Sequence, residues 1–198
     1  MDAFLKECTY VDFHSDSVRR KADELFPSCM DDVDKARVAF EFVRDGIPHS
    51  FDIRAERVTA RASDVLRYGT GICHAKANLL AALLRSQGIP AGFCFQHITL
   101  ADDDRRGYCL HGYNAVFLQG RWIRVDARGN RTGINARFSL GEPVLAFENR
   151  PQYDEYAFPG IFAVPDTATM EMLNRAGSLL DVVFGLPDTL SVQPAVPE

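Results

Sequence analysis

The sequence predicts an α+β fold, with a helical first half followed by an antiparallel sheet on which one buried helix packs. Three observations carry this. Apolar residues recur at steps of three and four up to Gln87. Past Gly88 and Pro90 the period changes to two, in "AGFCFQHITL", "HGYNAVFL" and "RWIRVDA". A Gln119-Gly120 turn joins the last two runs as a hairpin. At 198 residues the chain is expected to form one domain over 1–198, with a core of about 31–130 and a C-terminal wrapping segment and helix over 131–198.

Taken in order, "SDSVRRKADELF" reads as a first helix, capped by Ser15 or Asp16 and ended by Pro27. "DDVDKARVAFEFVRDGIP" is a clearer helix. Val33, Ala36, Phe40, Val43 and Ile47 share one face, Asp31 can cap the start, and Gly46 with Pro48 stops it. "SDVLRYG" is a short helical turn ending at Gly69. The next helix runs from about Cys73 to Gln87, with Gly88 at the C′ position and Pro90 unable to continue it. Its run of Ala and Leu from Ala75 to Leu84 leaves hardly any polar face, which predicts burial nearly all round. The stretch 131–165 is rich in Gly, Pro, Asn and Phe and reads as a wrapping or lid-like segment with one strand candidate, "EPVLAFE". A last helix is expected over "DTATMEMLNRA" with Asp166 as N-cap, and "QPAVPE" reads as a frayed tail.

A hydrophobic fraction of 46% gives such a chain enough apolar surface for a core without staples. The 22 basic and 27 acidic residues are dispersed, so no basic block offers itself to nucleic acid. The N-terminal "MDAFLKECTYVDFHSDS" is too often broken by charge for a signal peptide, and no run of about 20 apolar residues exists. The expected protein is cytoplasmic and meets no membrane. Five cysteines, at 8, 29, 73, 94 and 109, are an odd number at irregular spacing, which argues against a disulfide framework.

Most of these cysteines read as small buried fillers. Cys73 differs because "GTGICHAKANLLAALL" places it at a helix N-terminus, where free N–H groups and the helix dipole favour a thiolate. Gly69 and Gly71 suit a sharp turn and a close approach of substrate, and the Cys73 N–H suits an oxyanion. A thiolate nucleophile also needs a proton-transfer partner and a group to orient it. With Gln119 and Gly120 as the loop, Leu118 faces Arg121 and Tyr113 faces Asp126. His111, Tyr113, Ala115 and Phe117 then share a face with Trp122, Arg124, Asp126 and Arg128. His111 and Asp126 become diagonal neighbours, with Cβ atoms roughly 6–8 Å apart. The competing readings are a packed helix cysteine, a strand histidine satisfied by a carbonyl, and an Asp126 paired with Arg124 or Arg128. His74 beside Cys73, and Cys109-x-His111, are the only metal candidates, and neither has ligand spacing. No metal and no cofactor are expected.

"GTGICHAKANLLAALLRSQGIPAGFCF" followed by "LHGYNAVFLQGRWIRVDARGN" resembles the transglutaminase-like superfamily over about residues 60–130. The likeness lies in a G-x-C opening a helix, an R-x-x-G-I-P-A exit into a strand, a strand beginning with histidine, and W-I-x-V-D-A. It implies a papain-like core and acyl-transfer chemistry on an amide through a thioester. Carried over by position, Cys73 is the nucleophile, His111 the base and Asp126 the orienting acid. His49 is a candidate counterpart of the polar oxyanion residue that some relatives have upstream of the cysteine. Where many relatives have Trp or Glu after the cysteine, H-A-W at the histidine and Pro after the aspartate, this chain has His74, Gly112-Tyr113 and Ala127. These departures leave the triad and remove any inference about substrate identity.

The expected function is that of a thiol-dependent hydrolase or acyltransferase acting on an amide or isopeptide bond of a peptide, a protein or a small amide. A peptidase or amidase is favoured over an amine-transferring transglutaminase, since amine transfer needs a second binding site for which no marker is present. The alternative is a catalytically inactive binding module that retains the fold.

Overall fold

The computed structural model describes residues 1–100 and 106–196. Helix α1 spans Asp16–Leu25 and starts at Ser15, whose extended backbone makes it the N-cap. The expected side-chain cap is not made: the Ser15 hydroxyl is buried and finds no partner among the described residues, and Asp16 bonds Arg19 instead. Helix α2 spans Asp32–Glu41, and the Asp31 carboxylate accepts the Asp34 N–H at 2.8 Å as expected. Beyond it the chain widens into a π-helical turn, Phe42–Gly46. The carbonyls of Arg44 and Ile47 are met by the ammonium of Lys76, from the middle of another helix.

A one-turn helix, α3 (Ser50–Ile53), and helix α4 (Ala62–Tyr68) follow. Gly69 closes α4 in the left-handed conformation, at φ 66°. Helix α5, Cys73–Ser86, is buried from His74 to Arg85. Its polar interior residues survive burial because backbone carbonyls receive them. Asn78 donates to Ala60 O at 2.7 Å, and Arg85 donates to the carbonyls of Lys6, Ala91 and Ala163.

Strands β1 (Ala91–Thr99), β2 (Tyr108–Leu118), β3 (Arg121–Val125) and β4 (Tyr156–Ala157) form one antiparallel sheet in the order β3-β2-β1-β4. Positive φ at both Gln119 (52°) and Gly120 (80°) fits the type I′ turn that a two-residue hairpin favours. Leu118 pairs with Arg121, the register expected from the sequence. Leu79, Leu80, Leu83 and Leu84 of α5 form the core with Phe93, Phe95, Val116 and Leu118 of the sheet. The molecule is thus an α+β fold with Cys73 at the head of a buried helix on an antiparallel sheet.

The C-terminal third corrects two expectations. Residues 142–148 do not form a strand; a single bridge joins Val144 to Arg137. Their backbone groups are taken by side chains, with Ala146 N–H on the Asp126 carboxylate and Phe147 O on the Gln96 amide. The tail is not frayed at Ala195 and Val196: Ile161 and Val196 exchange N–H···O bonds of 2.8 and 3.1 Å. The expected tail's last two residues, Pro197 and Glu198, lie outside the described residues. Helix α6 (Thr167–Arg175) is capped by Asp166 as expected. A further helix, α7 (Leu179–Gly185), was not foreseen, although Ser178 and Asp181 form a full capping box at its start. Among the described residues no helix is long and apolar enough to cross a membrane.

Candidate active site

The site forms where the β2–β3 ladder ends. Its last pair is Asn114 with Val125, so β2 continues beyond β3 with an open edge. There the Gly112 N–H reaches the Cys73 sulfur, and the Leu110 N–H is taken at 2.7 Å by Pro187 O, just past α7. The Leu110 carbonyl receives the His74 ring at 2.9 Å. Segment 49–51 approaches from the other side. A parallel bridge links His49 to Gly71, and Ser50 N–H donates to Gly71 O at 3.1 Å. Gly71 is needed for packing within the protein rather than for substrate approach: a Cβ there would lie 3.2–3.3 Å from Ala75, Thr59 and Val65.

These elements bring Cys73, His111, Asp126 and His49 together. His111 Nε2 lies 2.8 Å from Asp126 Oδ2, and the same ring hydrogen-bonds the Cys73 thiol. Asp126 is ionised and accepts only, so the Nε2 proton is fixed and Nδ1 is the nitrogen left for the thiol. Asp126 also accepts from Arg128 N–H at 3.1 Å and Ala146 N–H at 2.9 Å. Phe147 meets the His111 ring edge-on, with centroids 4.9 Å apart.

Electrostatics separate the protonation states. Burial alone would raise the Cys73 thiol, but the His111 charge, its hydrogen bond and the Gly112 N–H outweigh it and the thiol is lowered. Burial alone would lower His111, but Asp126 and Cys73 outweigh it and the imidazole is raised. Burial would raise Asp126, yet His111 and the two backbone N–H groups hold it below the usual carboxylate range. The sulfur and ring therefore share a field that favours thiolate and imidazolium.

His49 sits beside Cys73, and its Nε2 accepts the Cys73 N–H at 3.1 Å. That N–H, expected to face an oxyanion, is here given to the ring. Burial and the nearby cations Arg128, Lys76, His111 and Arg131 push His49 well below its usual pKa, so the ring is neutral. Its Nδ1 is buried and finds no partner among the described residues.

The model of the transglutaminase-like superfamily matches residues 19–127. The chain belongs to this superfamily. No curated protein matches it. Among solved structures it is similar to one described as "a Putative Cysteine Protease from Cytophaga hutchinsonii", at 19% identity and a TM-score of 0.47, over 63% of this chain and 40% of that one. A second, described as "a TGase", is 15% identical with a TM-score of 0.38, over 65% of this chain and 34% of the other. The chain thus spans less than half the length of either.

The superfamily's usual residues differ here at His74 and Gly112, and the structure accounts for both together. The buried His74 ring covers Gly112 so closely that a Cβ at 112 would lie 2.6 Å from its Nδ1. With its Nε2 on the Leu110 carbonyl, His74 is a packed strut beside Cys73. Cys109 is buried, with its thiol pushed up to about 12 by desolvation. Four contributing residues escaped the sequence reading. Ala146 and Phe147 close over Asp126 and His111, Lys76 anchors the turn leading to His49, and Asp52 binds Arg128. Only the last had a signal, two opposite charges in the segments that flank His49 and Asp126.

Proposed function

We propose that the chain is a thiol-dependent acyl-transfer enzyme that hydrolyses an amide or isopeptide bond, with Cys73 as nucleophile, His111 as proton carrier and Asp126 as the group that orients it. The observation that carries this reading is that one buried imidazole binds the Cys73 thiol and, at 2.8 Å, the Asp126 carboxylate. The Cys73 thiolate attacks the carbonyl carbon, and the His111 Nδ1 proton passes to the leaving amine as the C–N bond breaks. Neutral His111 then takes a proton from water, whose oxygen attacks the thioester and releases the acid and the thiolate.

His49 is assigned to the oxyanion pocket of this reaction. When the carbonyl oxygen gains charge, the Cys73 N–H turns to it from His49 Nε2, and the neutral ring supplies a second donor there once its proton passes from Nδ1 to the released Nε2. Residues 131–196 are part of the working unit on this reading, since Ala146 and Phe147 close the pocket around the acid and the base. The substrate is a peptide or protein amide, or a small amide, and water is the proposed acyl acceptor.

The test is covalent labelling with a peptide vinyl sulfone and a glutamine-analogue chloromethyl ketone. Mass mapping should place the adduct on Cys73. The adduct should vanish in Cys73→Ala and form at least about 100-fold more slowly in His111→Ala. Equal, slow labelling of all five thiols would sink the proposal. With a cleaved peptide in hand, added primary amine should leave free acid as the main product; a new amide would reassign the enzyme as a transferase.

A further inference from the structure

The loop that follows the triad's acid is strongly basic in an acidic protein. Residues 127–137 hold three arginines and no acid, whereas the whole chain carries −5. Two of these arginines converge on one carboxylate. Buried Arg128 holds both oxygens of Asp52, at 2.6 and 2.9 Å, and Arg131 Nε lies 3.5 Å from Asp52 Oδ1 with 58% of its side chain exposed. One negative charge thus faces two guanidinium groups, and one positive charge is left over at the surface.

The surplus acts on His49, whose ring meets the Cys73 backbone. Asp52 belongs to α3, whose N-cap is His49, and its N–H donates to His49 O at 2.9 Å. His49 in turn receives the Cys73 N–H. Two further acids of this region are already engaged: Asp45 is held by Arg44, and Asp126 is enclosed by His111, Arg128 N–H and Ala146 N–H. Lys76 lies behind this group, against the carbonyls of Arg44 and Ile47.

We propose that this rim is an anion subsite, so that the cleft takes acyl donors in which a carboxylate lies close to the scissile amide, as in an acidic peptide segment. Arg131 is the side chain that meets the carboxylate. Its side chain is mostly exposed, so its guanidinium is available for a planar, two-point contact, while Arg128, bound to both Asp52 oxygens, holds Asp52 in place. The inference rests on Cys73 being the nucleophile, and the test separates the two.

Iodoacetate and iodoacetamide are near-identical in size and react alike: the thiolate displaces iodide and an S–C bond forms. Only iodoacetate carries a carboxylate. Rate constants at each cysteine, read by peptide mass mapping, should give a higher iodoacetate-to-iodoacetamide ratio at Cys73 than at exposed Cys29. Arg131→Gln should lower the Cys73 ratio about two- to fivefold, the effect of one charge several ångströms away in a half-solvated cleft. Arg131→Lys should restore most of it, Arg19→Gln on distant α1 should leave it alone, and about 0.5 M salt should erase most of the difference between wild type and Arg131→Gln. An unchanged ratio in Arg131→Gln, with Cys73 still the fastest thiol, overturns the subsite alone. A Cys73 no faster than Cys29 toward iodoacetamide overturns the nucleophile reading beneath it.

Discussion

His111 Nε2 lies 2.8 Å from Asp126 Oδ2, and the two side chains are only 2% and 1% exposed. A carboxylate in so dry a place needs its remaining lone pairs filled, which Arg128 N–H and Ala146 N–H do. Asp126→Asn keeps the shape and removes the charge. On the proposed mechanism it should lower kcat/KM on the order of 10³–10⁴-fold, with the protein still folded by circular dichroism. A variant with near wild-type turnover would show that Asp126 only shapes the loop.

The shifts at the sulfur and the ring set a pH profile. The thiol is lowered below cysteine's usual value of about 8.5, and the imidazole is raised above histidine's usual value of about 6.5. The ion pair therefore exists between the two shifted values. kcat/KM should climb as the thiol ionises on the acid side and fall on the alkaline side as His111 loses the proton it must deliver. Alkylation of Cys73, which needs no proton donor, should climb and then hold. In Asp126→Asn the alkaline limb of turnover should move to lower pH, because the charge that raises His111 is gone. A single acid limb in both assays would contradict the assigned role of His111.

Much of this site could be read from local patterns. The two-residue Gln119-Gly120 turn set the pairing of β2 and β3, and that parity placed His111 and Asp126 on one face. The Gly-Thr-Gly punctuation and the apolar run behind it located Cys73 at the head of α5. Contacts whose partners are far apart in sequence left no such trace. Ala146 and Phe147 bind Asp126, His111 and Gln96 through single backbone groups and one ring edge, which produces no period of two in 142–148. Helix α7 turns one fully buried side chain, Val182, inward, too little for a helical stripe, although its Ser178–Asp181 capping box was there to be read. The tail pairs with Ile161 only because Gly160, at φ 88°, lets Pro194 pack against it.

The fit of His74 against Gly112 makes a coupled pair. Gly112→Ala places a methyl 2.6 Å from the His74 ring, in a core with no room for it to retreat. We expect a loss of about 1–3 kcal/mol in urea unfolding. His74→Ala opens a cavity and frees the Leu110 carbonyl, and it should be destabilising by itself. In the double variant the clash disappears, so the two losses should fall short of additivity by about 0.5–2 kcal/mol. Strict additivity would mean that the strand shifts and the ring does not resist.

Lys76 offers a measurement independent of turnover. It is fully buried among the carbonyls of Arg44 and Ile47, and desolvation, helped by Arg128, pushes it down to about 7 from an unfolded value of about 10.4. Below pH 7 both the folded and the unfolded chain carry the proton, and the folded state bears the full cost of a buried charge. Between about pH 7 and 10.4 the unfolded chain holds a proton that the folded one sheds, so stability contributed at this site rises with pH. Lys76→Met removes the group and the slope together. Wild-type stability relative to Lys76→Met should therefore rise by on the order of 1–3 kcal/mol from pH 7 to 9.5 in urea unfolding, with other titrations cancelling in the comparison. A pH-independent difference would place the folded Lys76 near its ordinary value, with its charge carried unchanged by Asp126 and the two carbonyls.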